Sequence, residues 1–444
     1  MNLSDSSKKL IHLIGSAGYE AYAVGGCVRD FLMQRPCDDI DITTSAKPDE
    51  LEKILSDNNI KYIETGIKHG TVTAVMEDGS VFEVTTYRTE GAYSDSRHPE
   101  DVTFVSDIND DLARRDFTIN AIAYNDSKGF ADPYGGRADI DMKIIRAVGD
   151  ADTRFKEDAL RIMRAVRFAS VLGFDIEEKT KKALFNNKEL LKNISNERIY
   201  TELSKLLMGE NVYNILVEYK DIIAVAVAEL EPIFNVEQNT KWHIYDVWHH
   251  TAKSVEQAPK DLALRYTMLL HDIGKAYTKT TDENGTDHFK GHQKISGEYA
   301  LTALKRLKAP NEITNRVMAV VPIHDMHIGT EEKNIKKWLS RLGENTLRDL
   351  IAVKRSDKLA QNPEMIAEEL KRLDITEEKL NAVIAAGEPF EVKNLAVNGN
   401  DVMALGYKGR EIGIVLNTVL EKVIDGELQN NKETIIGFLT DFKL

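Results

Sequence analysis

Hydrophobic and polar positions alternate along the first third of the chain, and a helical repeat replaces the alternation further on. Short β-branched or alternating runs between turn residues predict five strands: YEAYAV (19–24), DIDITT (39–44), GTVTAVME (70–77), SVFEVTTYR (80–88) and AIAYN (121–125). EDG (77–79) predicts a hairpin turn. From about residue 153 the apolar spacing is helical, and the segment 154–174 predicts one helix that ends at Gly173. We therefore expect an α+β head followed by all-α regions.

Histidine marks a second boundary. Eight of the eleven histidines lie between residues 243 and 327, which indicates a separate module at about 240–360. AAGEPFEV (385–392) has the composition of a linker, and GIVLNTVLEKVIDGEL (413–428) predicts a final helix. The chain therefore divides into several domains.

Length, charge and cysteine content limit the class of protein. The 444 residues are 42% apolar, but no run of about 18 apolar residues predicts a membrane span. The N-terminal segment lacks the features of a secretory signal, and two cysteines make no disulfide framework, so we predict a cytoplasmic location. A net charge of −14 argues against a surface that binds nucleic acid everywhere. Residues 333–355 nevertheless hold seven Lys or Arg against two acidic residues, which indicates either a local polyanion contact or a solvated helix face.

The segment DDIDIT places carboxylates where a strand should begin. Alternate residues of a strand share a face, so Asp39 and Asp41 should point the same way, and Glu83 on a later strand supplies a third carboxylate. Such acids repel one another unless a divalent cation lies between them. Mg²⁺ suits oxygen ligands and phosphates. We predict a catalytic Mg²⁺ site for phosphoryl or nucleotidyl transfer at these three residues.

A glycine turn precedes these acids. Gly25 and Gly26 follow an apolar strand and open a predicted helix, so backbone N–H groups can approach phosphate oxygens while Arg29 adds positive charge. The alternative interpretation is a tight turn beside an exposed acidic loop. The combination of the turn, the arginine and the acid pair favours a nucleotide site.

Four charged residues recur every three positions on the predicted helix: Asp158, Arg161, Arg164 and Arg167. They should form an oblique stripe opposite Leu160, Met163 and Phe168, and the simplest interpretation is a solvated face with an Asp158–Arg161 ion pair. Cytosine and adenine each present an amino donor beside a ring-nitrogen acceptor. An adjacent acceptor and donor would therefore match C and A and reject G and U.

Several motifs in order resemble one family: GGCVRD, DDIDI, RRDFTINA, DPYGG and EDALRIMRAVRF. They resemble the bacterial tRNA nucleotidyltransferase and poly(A) polymerase family, and within it the CCA-adding branch, from about residue 20 to 210. The resemblance implies a polymerase-β-like nucleotidyltransferase head with helical neck, body and tail. It implies Mg²⁺ at Asp39 and Asp41, and tRNA (acceptor and TΨC arms), CTP and ATP as partners. It also implies nucleotide contacts at Gly26, Arg29, Arg115, Asp158, Arg161, Arg164 and Arg167, with Asp158 and Arg161 selecting the base.

Two further segments bear on which nucleotides are added. In the family, a loop after the catalytic strands permits the final A, and the segment 87–104 has the length and charge of an intact loop. SNERIYTEL (195–203) matches a later family motif, in which we expect Glu197 and Arg198 to brace the neck. We therefore expect CCA addition; a poly(A) polymerase is the alternative.

The histidine-rich module resembles the HD metal-dependent phosphohydrolases. YTMLLHDIGKA (266–276) supplies His271 and Asp272, and the resemblance adds His250 and Asp357 as ligands of a divalent transition metal. His292 and His324 lie at positions where some members place additional ligands. The module is either active on a phosphoester, such as a 2′,3′-cyclic phosphate, or retained for structure. A phosphohydrolase with an inactive transferase head, or a catalytically silent RNA-binding protein, are further alternatives.

The C-terminal segment NGNDVMALGYKGREIGIVLN (398–417) resembles the family's tail, where Lys408 and Arg410 are expected to contact RNA phosphates. A helix cap with solvated charges is the alternative. We expect four domains: a head (1–145), a helical neck (146–238), an HD domain (239–362) and a helical body and tail (363–444).

Overall fold

The computed structural model describes residues 3–37, 39–91 and 102–442. The chain forms two compact units, residues 1–228 and 229–444. The four-domain division stays a prediction; the head and the predicted neck up to residue 228 belong to the first unit. The predicted loop at 87–104 lies largely outside the described residues.

The first unit contains a seven-stranded mixed sheet in the order β3-β4-β5-β2-β1-β8-β9. Its strands are β1 Ala21–Val24, β2 Asp41–Thr44, β3 Lys61–Gly66, β4 Thr71–Val75, β5 Val81–Thr86, β8 Ala123–Asn125 and β9 Gly129–Ala131, and short two-stranded pairs are formed by β6 Arg88–Glu90 with β7 Val102–Phe104 and by β10 Ile144–Ile145 with β11 Asp175–Ile176. β2 pairs antiparallel with β1 but parallel with β5. All five predicted strands are present, with shorter bounds than the sequence indicated.

In the described part of this unit, eleven helices accompany the sheet or follow it in the chain. They are α1 Asp5–Ser16, α2 Gly26–Leu32, α3 Pro48–Asp57, α4 Ile108–Ala113, α5 Gly136–Met142, α6 Ala151–Glu157, α7 Leu160–Leu172, α8 Glu178–Asn187, α9 Asn196–Leu207, α10 Val212–Glu218 and α11 Lys220–Ala226. The hydrophobic core includes Tyr22 and Val24 of β1 with Leu112 of α4. The α+β class expected from the sequence is confirmed.

The predicted helix 154–172 is two helices with a break at Asp158. This residue has extended backbone angles (φ −132°, ψ 101°), and its carboxylate accepts a hydrogen bond from the Leu160 amide at 3.0 Å. Aspartate competes in this way with the helical backbone. The prediction of one continuous helix was wrong at this point, but its predicted end is confirmed, because Gly173 terminates α7 in the left-handed conformation (φ 69°).

The second unit is almost entirely helical. Its elements are α12 Val247–Gln257, α13 Leu262–Leu270, α14 Lys275–Thr278, α15 His292–Arg306, α16 Asn311–Val320, α17 Glu332–Leu359, α18 Pro363–Ala385, α19 Gly399–Ala404, α20 Arg410–Ile424 and α21 Lys432–Asp441, with one short ribbon of β12 Thr280–Thr281 and β13 Asp287–His288. A non-helical Gly343 (φ 75°, ψ 168°) kinks α17. A separate apolar cluster forms at the C-terminal end, where α20 and α21 pack through residues such as Val419 and Ile435.

The basic stretch 333–355 is mostly neutralised within the fold. Lys336 pairs with Glu332 and Glu388, Lys337 with Asp425, and Arg355 with Asp374 and Glu377. These pairings leave the helix face with much less net positive charge than the local sequence indicated. The observed pairing favours the solvated-face interpretation of this segment. Among the described helices, none is long and apolar enough to cross a membrane.

Gly209 allows the close approach of α7 and the end of α9, and this contact generates a prediction. A Cβ at Gly209 would lie 2.1 Å from Ser170 Oγ and 2.6 Å from the Ser170 carbonyl oxygen. We expect Gly209→Ala to lower the free energy of unfolding by ~2 kcal/mol or more, because the backbone must shift, as measured by urea denaturation.

The matched control is Gly15→Ala in α1, where a Cβ meets nothing within 4 Å. There the substitution should leave stability unchanged or raise it by up to ~1 kcal/mol. Equal effects of the two substitutions would contradict the proposed close packing.

Candidate functional site

Three carboxylates gather where β2, an interior strand of the mixed sheet, begins. Asp41 begins β2, and the parallel pairing of β2 with β5 sets Ile42 beside Val84, so Glu83 lies next to Asp41. Burial raises the pKa of Asp41, and the charges of Asp39 and Glu83 raise it further. The three predicted catalytic acids are therefore near neighbours that repel one another. A divalent cation with oxygen ligands fits such a group.

Asp39 differs from the expectation in one respect. It lies just before the strand instead of within it, because β2 begins at Asp41. Both residues retain solvent-accessible surface, although neighbouring protein atoms partly desolvate the Asp41 carboxylate. Their proximity therefore comes from the segment that leads into β2, and not from strand alternation alone.

The glycine turn forms between β1 and α2. Gly25 has φ 78° and ψ −132°, a conformation that essentially requires glycine, and it precedes the first turn of α2. A Cβ at Gly25 would lie only 3.1 Å from Nη1 of Arg115. Gly26 opens α2, and a Cβ there would lie 3.6 Å from Nη2 of Arg29. Because neither glycine has a side chain, the backbone of the turn is accessible next to two guanidinium groups. This arrangement suits a phosphate group.

A buried carboxylate holds Arg115 toward this turn. Asp111 is fully buried, and its oxygens lie 2.8 Å from Arg114 Nη2 and 3.3 Å from Arg115 Nη2. Burial would raise the pKa of Asp111, but the two arginines outweigh it and the pKa is lowered. Thr43 on β2 also donates to Asp111 at 3.3 Å. Asp111 thus fixes Arg115 relative to the strand that begins with Asp41.

Three of the predicted nucleotide-binding arginines converge on one aromatic ring. The guanidinium carbons of Arg29, Arg164 and Arg167 lie 5.0, 5.4 and 3.9 Å from the ring centroid of Phe168. The sequence placed Phe168 on the face opposite these arginines, which was wrong, because their long side chains fold over the ring. Cation–π contact holds this positive group together.

Two acids and one amide side chain hold these arginines in place. None of the three is among the site residues predicted from the sequence. Asp116 accepts from Arg164 Nε at 2.8 Å, and Glu202 on α9 lies 2.7 Å from Arg167 Nε. Asn120 accepts from Arg29 Nη1 at 2.7 Å and donates to Asp116 at 3.0 Å. The signal was available, since these residues belong to RRDFTINA and SNERIYTEL, but only the fold pairs them with particular arginines.

The predicted base-reading residues are held by other neighbours instead of pairing with each other. Asp158 Oδ2 accepts from Arg198 Nη2 at 3.0 Å. Arg161 is buried and donates to Glu157 Oε2 at 2.8 Å and to the backbone carbonyls of Arg154 (3.2 Å) and Arg114 (2.9 Å). The ion pair considered for Asp158 and Arg161 is thus replaced by Asp158–Arg198 and Arg161–Glu157. A guanidinium has five N–H donors, so Arg161 retains donors for a ligand.

The four predicted HD ligands come together in the second unit. His250 on α12 and His271 after α13 both point Nε2 at carboxylates: His250 lies 3.0 Å from Asp357 Oδ1 and 3.5 Å from Asp272 Oδ2, and His271 lies 3.2 Å from Asp272 Oδ2 and 3.7 Å from Asp357 Oδ1. Their Nδ1 atoms face the carbonyl oxygens of Ala360 (3.2 Å) and Met268 (2.7 Å). This is the orientation that backbone carbonyls give to metal-binding imidazoles.

A second group lies beside the first and shares Asp272. His292 Nε2 and His324 Nε2 lie 3.4 and 3.8 Å from Asp272 Oδ1 and only 3.2 Å from each other. Their Nδ1 atoms lie 2.8 and 2.7 Å from backbone carbonyls, which only accept, so each Nδ1 carries the proton. Burial lowers the pKa of His324 to about 3. The two Nε2 atoms face each other, and either a proton between them or a cation bound by both satisfies this arrangement.

Lys275 and a cavity complete this site. Its ammonium lies 2.7 Å from Asp272 Oδ2 and donates to Gln238 Oε1 at 2.6 Å. A cavity of about 490 Å³ opens over these histidines and aspartates, and its lining includes Lys275, Lys290, Lys358, Trp242 and Phe289. Lysines beside aromatic rings suit an anionic ligand with an apolar part.

Protonation of the HD residues follows their contacts. Burial lowers the pKa of His271, but the adjacent Asp272 outweighs it and raises the pKa to about 9. The pKa values of Asp272 and Asp357 are lowered because their histidine and lysine neighbours outweigh burial. The carboxylates are therefore ionised, and a proton on His271 lies where a metal would bind.

The tail residues lie on the surface. Lys408 and Arg410 flank Gly409 at the start of α20 and are exposed. Within the part of the chain that the structure describes, neither side chain pairs with an acid. Their contact with RNA phosphates stays a prediction.

Family models match three segments of the chain. The poly A polymerase head domain matches residues 21–146, the probable RNA and SrmB-binding site of polymerase A matches 173–220, and domain 2 of tRNA nucleotidyltransferases matches 288–439. The first model covers the sheet, the glycine turn and the three acids. The fold and site thus define a nucleotidyltransferase with a poly(A) polymerase-type head.

Curated relatives and solved structures narrow this class. The chain is 35% identical over 433 residues to the CCA-adding enzyme of Lactobacillus delbrueckii subsp. bulgaricus, covering 97% of this chain and 96% of the relative. It is 54% identical over 200 residues to that of Geobacillus thermodenitrificans, covering 45% of this chain and 48% of the relative. A crystal structure of the Bacillus stearothermophilus CCA-adding enzyme in complex with CTP has a TM-score of 0.74 and 30% identity, covering 98% of this chain and 96% of that chain.

The chain belongs to the family of CCA-adding enzymes. The resemblance stated from the sequence motifs is confirmed. The Thermotoga maritima CCA-adding enzyme complexed with tRNA, at 20% identity and a TM-score of 0.63 over 98% of this chain and 95% of that chain, shares the fold. The residue roles and the HD module stay predictions.

The Asp116–Arg164 pair generates a pH prediction. Burial would raise the pKa of Asp116, but Arg164 outweighs it, and the pKa falls to about 2. The pair therefore stabilises the fold above the unfolded pKa of ~3.9, and this contribution disappears as pH falls toward 2. We expect Asp116→Asn to lower the free energy of unfolding by ~2 kcal/mol or more at pH 7, with a smaller difference from wild type at pH 3.5, by urea denaturation.

Asp57→Asn on the exposed end of α3 is the control, since its carboxylate pairs with exposed Lys53 and with no other cation in the described ranges. It should change stability little at either pH. A destabilisation by Asp116→Asn that is the same at both pH values would show that its charge is not responsible.

Proposed function

We propose that this chain adds C, C and A to the 3′ end of tRNA, using CTP and ATP and no nucleic-acid template. One observation carries the proposal: Asp39, Asp41 and Glu83 meet beside the Gly25 turn and Arg115, in a chain related along 97% of its length to a CCA-adding enzyme. The acids can hold a metal ion, and the glycine turn with Arg115 can hold phosphate. The relationship to CCA-adding enzymes connects both features with nucleotide addition.

The three acids fit a divalent cation, because oxygen ligands that repel each other lie next to a phosphate cradle. Mg²⁺ held by Asp39 and Asp41, with Glu83, would lower the pKa of the tRNA 3′-hydroxyl and neutralise charge on the leaving pyrophosphate. The chain itself holds the triphosphate at the Gly25–Gly26 turn. Arg29 and Arg115 add positive charge there.

Base selection falls to Asp158 and Arg161 in this proposal. The carboxylate accepts from the exocyclic amino group of C or A, and the guanidinium donates to the ring nitrogen beside it. G and U would set a carbonyl oxygen against the carboxylate and leave both acceptors without a donor. Arg164 and Arg167 lie over Phe168 on the same helix. We assign them either to phosphate binding or to keeping Asp158 and Arg161 oriented.

The tRNA itself is proposed to contact the helical regions. RNA duplexes are recognised largely by shape and phosphate contacts, and exposed Lys408 and Arg410 supply positive charge in the tail. A cytoplasmic location, where tRNA is matured, is part of the same proposal.

Loss of one carboxylate tests the transferase site. We expect Asp41→Asn to reduce nucleotide incorporation into tRNA lacking its CCA end by at least ~10³-fold, because the cation loses a charged ligand. Each NTP is supplied separately and then CTP with ATP, and products are resolved by length. Wild type should add three residues and stop.

Glu64→Gln, an exposed carboxylate on edge strand β3 of the same sheet, is the matched control and should keep full activity. Open-ended A tails from wild type would instead identify a poly(A) polymerase. Incorporation that survives in Asp41→Asn would reject the proposed metal site.

We propose a second activity for the HD module, the metal-dependent hydrolysis of a phosphoester. The observation that favours it is the pair of ligand groups that share Asp272, below a cavity lined by Lys275, Lys290 and Lys358. Imidazole and carboxylate ligands suit a divalent transition metal. A bound metal would activate water for attack on phosphorus, while the lysines hold the phosphate. A 2′,3′-cyclic phosphate at an RNA end is one such ester.

Metal stoichiometry tests this site. We expect wild type to bind two equivalents of Co²⁺ by titration calorimetry, Asp272→Asn to bind none, and His324→Ala to bind one, because Asp272 belongs to both groups and His324 to the second only. Hydrolysis of bis-p-nitrophenyl phosphate and of a 2′,3′-cyclic nucleotide should fall with the metal content.

His288→Ala is the control. His288 lines the same cavity but is 44% exposed and pairs with Asp282, so metal binding should not change. A wild-type protein that binds Co²⁺ without hydrolysing either ester would favour a module retained for structure. Nucleotide incorporation should be unaffected by all three substitutions.

A further inference from the structure

Arg198 reaches across from α9 to the proposed base-reading residue. Its Nη2 atom donates to Asp158 Oδ2 at 3.0 Å, while the other oxygen, Oδ1, accepts from the Leu160 amide at 3.0 Å. The two donors come from different directions, one from the start of α7 and one from α9. Together they fix the plane of the carboxylate.

Asp158 needs such an anchor because of where it lies. It occupies the break between α6 and α7, with extended backbone angles, so no helical turn on its own side restrains it. The terminal torsion of an aspartate is broad, and its carboxylate plane turns easily. A carboxylate that distinguishes an amino group from a carbonyl must hold its acceptor oxygens in one direction. A single backbone donor leaves the other oxygen free to rotate.

The contribution of Arg198 to folding is limited by an unpaired donor. The side chains of the Arg198–Asp158 pair are 26% and 19% exposed, so the ion pair is largely removed from water. Nη1 of Arg198 is buried and, among the residues that the structure describes, has no hydrogen-bond partner, which opposes folding. This cost offsets part of what the ion pair contributes, and orientation of the Asp158 carboxylate is a second role that the geometry supports.

We propose that Arg198 is a positioning residue that determines base specificity, by holding the Asp158 carboxylate in the orientation that reads the amino group of C or A. The inference rests on the proposed function, in which Asp158 selects the base. Without Arg198 the Asp158 carboxylate can rotate. C and A then lose the oriented acceptor for their amino group, and the carboxylate no longer excludes the carbonyl oxygen of G or U. Discrimination should fall, while the metal-binding acids at the other site keep their geometry.

Two variants and one control test the proposal on the full-length protein. In Arg198→Met the donor and the charge are lost, and in Arg198→Gln one uncharged donor remains. We expect the ratio of kcat/KM for CTP over UTP, and for ATP over GTP, to fall at least ~10-fold in Arg198→Met. The loss should appear chiefly as a raised KM for CTP and ATP. Arg198→Gln should fall between Arg198→Met and wild type.

Lys205→Met is the control, because Lys205 is an exposed cation on the same helix α9. It should leave both ratios unchanged. A thermal unfolding scan accompanies each variant, and unchanged ratios in Arg198→Met, or an equal loss for all four nucleotides with a lowered Tm, would overturn the proposal in favour of a structural role.

The proposed base-selecting residue, Asp158, is tested separately from Arg198. Asp158→Asn should lower the same two ratios, and adding Arg198→Met to it should lower them no further, because both substitutions act through one carboxylate. If Asp158→Asn leaves the ratios unchanged, the proposed reader is wrong. If Asp158→Asn lowers them and Arg198→Met does not, only the anchoring role fails.

Discussion

The buried carboxylate of Asp111 is the contact on which the nucleotide site of the first unit depends. It has no exposed surface, and it binds two arginines and a threonine of β2. An ionised carboxylate in such a place is stable only because these donors surround it. In return it directs Arg115 at the glycine turn, so the phosphate cradle and the strand that carries Asp41 keep one geometry.

The same principle recurs along α7. Asp116 and Glu202 hold Arg164 and Arg167, and Arg198 holds Asp158, so each charged group proposed to face the nucleotide has an opposite charge behind it. The positive group over Phe168 would otherwise repel itself. Pairing of this kind keeps long side chains in place before any ligand binds, which reduces the reorganisation that binding requires. The histidines of the second unit are held differently. Backbone carbonyls orient His292 and His324 through Nδ1, and their Nε2 atoms remain to be satisfied by a cation or a proton.

Much of this was predictable from the order of residues. The five strands, the hairpin turn at 77–79 and the helix end at Gly173 follow from local patterns that the structure keeps. The four predicted HD ligands were named from the resemblance alone, and the fold brings His250, His271, Asp272 and Asp357 together. Two expectations failed for local reasons: the Asp158 side chain interrupts the predicted helix, and the arginines fold over Phe168 instead of lying opposite it.

By itself, the sequence determined the types of group available for chemistry: three acids near a glycine turn, a set of arginines, and a cluster of histidines. It determined these because hydrophobic periodicity and short motifs are local properties of the chain. Only the tertiary structure decided which charge compensates which. Glu202 with Arg167 and Arg198 with Asp158 join residues 35 and 40 positions apart, and the 3.2 Å contact of His292 with His324 joins two helical segments. Such pairs depend on how helices and strands pack, because distances of a few ångströms between side chains are set by the fold and not by spacing along the chain.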